Sequence, residues 1–504
     1  MLLLGYDIGS SAIKAAVLDA ETGTIQASAR APSDEEMTME APRPGWAEQP
    51  PERWWEHVQD ATAALRDEVE FDPEAIRGLG LSYQMHGLVL VGEDHEVLRP
   101  AIIWADSRAV DIGRDAFEAL GREWCLSHLL NSPGNFTAAK LAWVKRNEPD
   151  VYGRLHRAML PGDYVALRMT GSLRTTPSGL SEGTLWDVQR QDLATGLLDC
   201  LDVSPDLWPE PVPTFSEQGT LTETAADTLG LAPGTPVAYR AGDQPNNAFS
   251  LNVLGPGEVA ATAGTSGVIY GVGDAPDYDP QSRVNTFLHV NHEPETRPRY
   301  GTLMCVNGTG ILNRWLHDAI GGPEGRSYQQ MNEEAGAAPV GAEGLTVLPF
   351  GNGAERTLGN RDLGASVRGL RFNVHDRAHL LRAAQEGIVF ALRHGLDIMR
   401  DMGLSVDTIR AARGNMFLSP VFAEAFSTVL DTSVELVRTS GAAGAARGAG
   451  VGAGLYDAPE DAFEGLDVVD TITPRPKQAD AYAAAYNRWR RILTHQLNAP
   501  SDHD

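Results

Sequence analysis

Along the first twenty residues, two short apolar runs are split by a polar turn. "MLLLGY" leads to Asp7, then come Gly9, Ser10 and Ser11, and "AIKAAVLD" resumes the apolar pattern at once. Apolar runs flanking a tight Gly-Ser-Ser predict strand, turn, strand: a hairpin. It leaves a carboxylate at the end of a buried strand, beside a turn made of hydrogen-bond donors. In "PERWWEHVQDATAALRDEV" the spacing changes, and Trp54, Val58, Ala61, Leu65 and Val69 share one helical face with Pro51 near the start. "IRGLGLSYQMHGLVLVGEDHEVLRPAIIWAD" (76–106) then gives apolar strands separated by polar turns. Strands alternating with helices predict a layered α/β domain.

Midway the plan repeats. "PGEVAATAGTSGVIYGVG" (256–273) is again strand, small-residue turn, strand. Helical spacing follows over 378–403 and over 420–431, the latter opened by Ser419 and Pro420 as N-cap and first residue. The Gly- and Ala-rich 441–455 reads as a tightly packed helix. This repeat predicts two related domains, 1–249 and 250–475, followed by a charged amphipathic helix within 476–504 that packs back on the first domain or on the second.

Composition narrows the function. A chain of 504 residues can bury more than one core. "MLLLGYDIG" lacks a basic start, and no stretch approaches the roughly eighteen apolar residues of a membrane span. No membrane partner is expected, and a cytoplasmic location is the default. The formal charge of −27 opposes binding to nucleic acid or to anionic lipid, and favours a small-molecule ligand. Lysine occurs only at Lys14, Lys140, Lys145 and Lys477, a pattern that also suits high salt. Cys125, Cys200 and Cys305 are too scattered for a zinc ribbon or a disulfide framework. His289 and His292 in "HVNH" lack metalloprotease spacing.

Two common nucleotide motifs are absent. No lysine is followed by Ser or Thr as a Walker A loop requires, and "GAGVGAG" (448–454) has the wrong spacing and context for a dinucleotide fingerprint. What remains are Gly-, Ser- and Thr-rich turns at strand ends: "DIGSS" (7–11), "AGTSG" (263–267) and "NGTG" (307–310). Each alone reads as an ordinary turn, but together they offer N–H groups and hydroxyls to phosphate oxygens, with Asp7 available to a divalent cation. "YRAGDQPNNAFS" (239–250) ends a strand and turns through Asp243 into a helix. There the carboxylate serves equally as a helix N-cap or as a cleft-facing base. His86 in "QMHG" reads, without further context, as a satisfied and partly buried histidine.

These residues together resemble the FGGY carbohydrate kinases, within the actin-like ATPase and sugar-kinase superfamily. The resemblance spans the chain through "YDIGSSAIKAAVLD", "RPGWAEQPPERWWE", "SYQMHGLVLV", "LRPAIIWADSR", "GNFTAAKLAWVKRNEPD", "LPGDYVALRMTG", "AGDQPNNA", "AGTSGVIYGV" and "LPFGNGAER". Gln-Met-His-Gly with Trp-x-Asp-x-Arg is specific to the branch acting on xylulose. The resemblance implies two ribonuclease H-like (actin-like ATPase) α/β domains facing a central cleft, with sugar on the first and nucleotide on the second. It implies transfer of a phosphoryl group from ATP, with Mg²⁺, to the 5-hydroxyl of D-xylulose. Asp243 is then the catalytic base, and Met85, His86, Trp104, Asp106, Asp243 and Gln244 contact or support the sugar. Asp7, Ser10, Ser11, Lys14, Gly264, Thr265, Ser266, Gly308, Thr309, Gly310, Gly414 and Asn415 bind the nucleotide, and Asp7 and Asp243 the metal. A homodimer is left open. Many members carry Gly-Gly-Gly-Ala at the adenine loop, where this chain has the bulkier "RGNMFLS" (413–419). The alternatives are the same chemistry on ribulose or glycerol, and a non-catalytic sugar sensor. A DNA-binding sensor would need a basic helix-turn-helix, for which the charge has the wrong sign.

Overall fold

The computed structural model describes residues 1–320 and 325–499. Its first sheet has the strand order Val237–Gly242, Ile76–Tyr83, Leu2–Ile8, Ile13–Asp19, Ile25–Ala31. The predicted hairpin pairs Leu2–Ile8 with Ile13–Asp19 in antiparallel register, which places Asp7 opposite Lys14. Ile25–Ala31 extends it as a third antiparallel strand. Ile76–Tyr83 and Val237–Gly242 then add parallel to Leu2–Ile8, each needing a long crossover. Parallel central strands are covered on both faces, so Ile76–Tyr83 is buried almost throughout. Trp54, Val58, Ala61 and Leu65 of the helix Pro51–Glu68 pack into that core as their spacing predicts.

The second sheet repeats this order. Tyr300–Val306, Gly267–Gly273 and Glu258–Ala263 form the antiparallel meander, and Thr408–Ala412 and Val434–Val437 add in parallel. Asn285–Leu288 and Val468–Ile472 extend the two edges. Both halves therefore carry the five-strand ribonuclease H-like sheet. The helix Arg377–Asp401 lies on the second sheet, and Pro420–Leu430 is capped by Ser419 as expected.

Two placements correct the expected layout. The helix Gly441–Gly452 falls in the range expected for the second domain, yet it packs on the first sheet. Its small residues permit backbone contact: a Cβ at Gly5 would lie 2.0 Å from the Ala442 carbonyl oxygen, and one at Gly80 1.9 Å from that of Ala445. The final helix, Pro476–Asn498, does not return to the first domain. It buries Tyr482, Ala485, Trp489 and Leu493 in the core of the second, where Trp489 Nε1 donates to the Val347 carbonyl at 3.0 Å. Residues 500–504 of that expectation lie outside the described residues.

Among the described residues, no helix is long and apolar enough to cross a membrane. Only eight acidic side chains are buried among them, so most of the net charge of −27 is spread over the surface. Such charges repel over about 10–30 Å at low ionic strength and over about 3 Å in molar salt. The melting temperature of the ligand-free protein should therefore rise from low to molar KCl. A flat or falling curve would show that the acidity does not oppose folding.

Candidate active site

Asp7 and Asp243 stand at the ends of two parallel strands of the first sheet, separated by Ile76–Tyr83. Parallel strands with coincident C-terminal ends make this edge a natural ligand site. Asp7 Oδ1 accepts a hydrogen bond from Ser82 Oγ at 2.9 Å, which fixes the carboxylate. A Cβ at Gly441 would lie 2.7 Å from Asp7 Oδ2, so only glycine fits there. Asp243 is the first residue of the helix Asp243–Ser250, whose N-cap is Gly242 with no side-chain cap. Asp243 is therefore not the N-cap of that helix, though its carboxylate bonds the Gln244 N–H. Burial, followed by the negative charges of Asp7 and Glu182, raises the Asp243 carboxyl to about 7, a pKa suited to a general base near neutrality.

His86 sits one strand end away with φ at +62°, in the left-handed region. Several contacts over-determine this conformation. Its N–H donates to Glu182 Oε2 at 2.8 Å, and its Nδ1 lies 2.7 Å from the Glu182 carbonyl oxygen. A carbonyl only accepts, so Nδ1 carries a proton, and Nε2 is the ring nitrogen left for a ligand. Phe136 meets the imidazole edge-on at 4.7 Å, and Phe287 lies at 5.7 Å. Met85 packs with these two phenylalanines and reaches Gly242, where a Cβ would sit 2.7 Å from its Cγ. Behind His86, the fully buried Lys140 donates to the carbonyls of His86 (2.7 Å) and Ile103 (3.0 Å). Burial lowers this ammonium to about 7.

On the second half, three turns converge. Gly310 N–H donates to the Gly264 carbonyl at 2.9 Å, and Ile311 N–H to that of Thr265 at 3.2 Å. The side-chain amide of Asn415 approaches Gly264, 3.6 Å from where its Cβ would be. Gly264, Thr265, Gly310 and Asn415 line one cleft of about 900 Å³, together with Asn313, Arg314, Asn332, Met416 and Ser419. The bulky 413–419 loop does not fill it. Met416 and Phe417 are buried in the core, where Phe417 packs against Phe422 and Phe426.

Several expected contacts have other duties. Asp106 is fully buried: Oδ2 accepts from Ala47 N–H at 2.7 Å, Oδ1 from Arg108 N–H at 2.8 Å, and the Arg108 guanidinium binds both oxygens. It braces the loop carrying Trp104 and leaves no oxygen for a sugar. Trp104 itself is half exposed and donates to Ser10 Oγ at 3.4 Å. Thr309 is buried, and its hydroxyl donates to the Val306 carbonyl. Ser11 and Lys14 are exposed on the first hairpin; Gln244 is half-buried and hydrogen-bonds Asp243. Gly308 lies against Pro349, and Ser266 bonds Cys305. Gly414 is extended, with φ at 175°. His289 is engaged by Tyr270 and the Val253 carbonyl.

The sequence reading missed Lys140, Glu182 and Glu355. Lys140 left a signal, a rare lysine among the apolar residues of a helix. Glu355 accepts from Asn307 N–H at 2.9 Å and braces the 307–310 turn; burial raises its carboxyl to about 7.

Among the described residues, neither Asp7 nor Asp243 has a cationic partner, and no group of three or more His, Cys, Asp or Glu is arranged as a metal cage. Two hard oxygen ligands, near enough for the Asp7 charge to act on Asp243 and without a counter-charge, fit Mg²⁺, which keeps waters and takes the rest of its shell from phosphates.

The family model for the N-terminal domain of the FGGY carbohydrate kinases matches residues 2–250, and that for the C-terminal domain matches 259–453. A xylulose kinase of Klebsiella pneumoniae is 31% identical over 82% of this chain and 82% of its own. One from Bacillus subtilis is 28% identical over 98% of this chain and 97% of its own. The crystal structure of xylulose kinase from Rhodospirillum rubrum superposes with a TM-score of 0.86 at 26% identity, covering 98% of this chain and 99% of that one.

Proposed function

The chain belongs to the FGGY family of carbohydrate kinases, and on that premise we propose that it phosphorylates D-xylulose at its 5-hydroxyl, using ATP. The observation carrying this reading is the half-buried Asp243, raised to about 7, standing beside the Met85–His86 wall and close enough to Cys305 of the second sheet to raise its thiol. Two relatives named as xylulose kinases, one of them matched over nearly its whole length, support the choice of sugar.

In this reading the ketose lies against Met85 and His86. Nε2 of His86 hydrogen-bonds a sugar hydroxyl, and Glu182 and Lys140 hold the histidine in place. The triphosphate rests on the 264–267 and 308–310 turns, with its nucleoside in the cleft beyond. Asp243 takes the proton of the 5-hydroxyl as that oxygen bonds to the γ-phosphorus and the bond to the ADP oxygen breaks. Mg²⁺, held through Asp7 and adjoining Asp243, would offset charge on the β- and γ-phosphate oxygens. Closing the halves over the reactants excludes water, which would otherwise compete for the phosphoryl group.

A coupled ADP-release assay across D-xylulose, D-ribulose and glycerol tests the substrate. D-Xylulose should give the highest kcat/KM, and a better rate with ribulose or glycerol would overturn the choice of sugar. A site built to bond a hydroxyl rejects analogues that misplace it. His86→Ala should therefore compress the differences across the panel while leaving the KM for ATP nearly unchanged. An unaltered ranking would remove His86 from the sugar site.

A further inference from the structure

Behind the 900 Å³ cleft runs a chain of side-chain hydrogen bonds that the phosphoryl chemistry does not use. Gln385, on the helix Arg377–Asp401, is 2% exposed. Its Nε2 donates to Asn332 Oδ1 at 3.1 Å, and its Oε1 accepts from Ser419 Oγ at 2.7 Å. Asn332 and Ser419 both line the cleft.

The bonds run in one direction, from the helix cap outward. Ser419 Oγ already accepts from Phe422 N–H as N-cap of the helix Pro420–Leu430. Its proton goes to Gln385 Oε1, so the glutamine carbonyl faces Ser419 and its NH₂ faces Asn332. An NH₂ group only donates, so Asn332 must turn its oxygen inward. Its Nδ2, with no hydrogen-bond partner among the described residues, is left for the cleft.

We infer that Gln385 is a positioning residue that sets Asn332 as a hydrogen-bond donor to an acceptor atom of the bound nucleoside, either a base ring nitrogen or a ribose oxygen. This rests on the cleft being the nucleotide site. The pocket then reads its ligand through a polarity set by Gln385, one residue removed from contact.

Gln385→Glu inverts that polarity. A carboxylate accepts from Ser419 but cannot donate to Asn332, so the Asn332 amide turns over and presents its oxygen to the cleft. Affinities of the full chain would be measured for ATP, for deaza analogues lacking each ring nitrogen in turn, and for the 2′- and 3′-deoxy nucleotides. The wild-type protein should bind one analogue about tenfold more weakly than ATP, the usual scale of one lost hydrogen bond. A deaza analogue identifies the base as the acceptor, and a deoxy analogue the ribose. Gln385→Glu should bind ATP about tenfold more weakly and no longer distinguish that analogue from it. Asn332→Ala, on a half-buried face, should lose the same discrimination, and it answers the question if the glutamate variant fails to fold. Equal binding of all analogues by the wild-type protein, or unchanged discrimination in the variants, would overturn the inference. Failure of the wild-type protein to bind ATP at all would instead overturn the reading of the cleft.

Discussion

Asp243→Asn is expected to lower turnover by about 10²–10⁴-fold, the usual contribution of a general base. The same substitution should raise the melting temperature of the ligand-free protein at pH 8. Both effects have one cause. Burial and the nearby Asp7 and Glu182 charges raise the folded-state pKa of Asp243 to about 7, whereas an unfolded aspartate titrates near 4. Below pH 4 the group is protonated in both states and costs nothing. As pH rises from about 4 to about 7, the unfolded chain ionises first, so the folded state loses stability across that window and does not regain it above. Asparagine removes this loss. The gain in melting temperature over the wild-type protein should thus be near zero at pH 4 and reach its full size above pH 7. By the same titration, wild-type kcat/KM should rise with pH toward about 7, and Mg²⁺ beside the carboxylate should move that limb lower. A folded variant with near-normal turnover would remove Asp243 as the base. An unchanged melting temperature at pH 8 would show that the carboxylate is not held against its charged form.

Gly310→Ala should cost about 100-fold in kcat/KM for ATP, the scale expected from misplacing a reactant by an ångström. A Cβ at Gly310 would lie 2.3 Å from the Gly264 carbonyl oxygen and 2.9 Å from its carbon. Both are backbone atoms, so no rotamer change relieves the contact. The 264–267 and 308–310 turns must separate, which strains the Gly310 N–H to Gly264 bond that joins them. In the proposed reading D-xylulose binds on the other half, so its affinity by calorimetry should hold within about twofold, as for independent sites. Loss of sugar binding equal to loss of ATP binding would mean general unfolding. Unchanged kinetics for both would show that the two turns do not form the phosphate seat.

The parts of the fold legible in the sequence are those fixed by local physics. The hairpin around Asp7 follows from apolar alternation and a Gly-Ser-Ser turn. The helix Pro51–Glu68 follows from Trp54, Val58, Ala61 and Leu65, and the start of Pro420–Leu430 from Ser419 and Pro420. The repeat of the hairpin near residue 258 led to the second sheet because both sheets begin with the same meander. What the sequence did not reveal was which surfaces meet. The final helix has an apolar face, but amphipathicity does not name a partner, and the second core took it. The small residues of Gly441–Gly452 signalled close packing without saying that the other half's strands would be the contact.

At the site, strand-end turns were visible because glycine, serine and aspartate cluster locally. Glu182 and Lys140 were not, since they stand 96 and 54 residues from the His86 they hold. Asp106 was legible only as a residue that contacts or supports the sugar; its oxygens are spent on Ala47 and Arg108, which leaves it the supporting role.

The central claim is that Asp243 takes the proton of a ketose hydroxyl that attacks a nucleotide bound to the second half. A crystal structure with D-xylulose and a non-hydrolysable ATP analogue tests it most directly. The account predicts the 5-hydroxyl within about 2.6–3.2 Å of an Asp243 carboxylate oxygen, the hydroxyl in line with the γ-phosphorus, and the triphosphate on the 264–267 and 308–310 turns. A sugar bound away from Met85 and His86, or an Asp243 carboxylate turned from the hydroxyl with another base in its place, would contradict it.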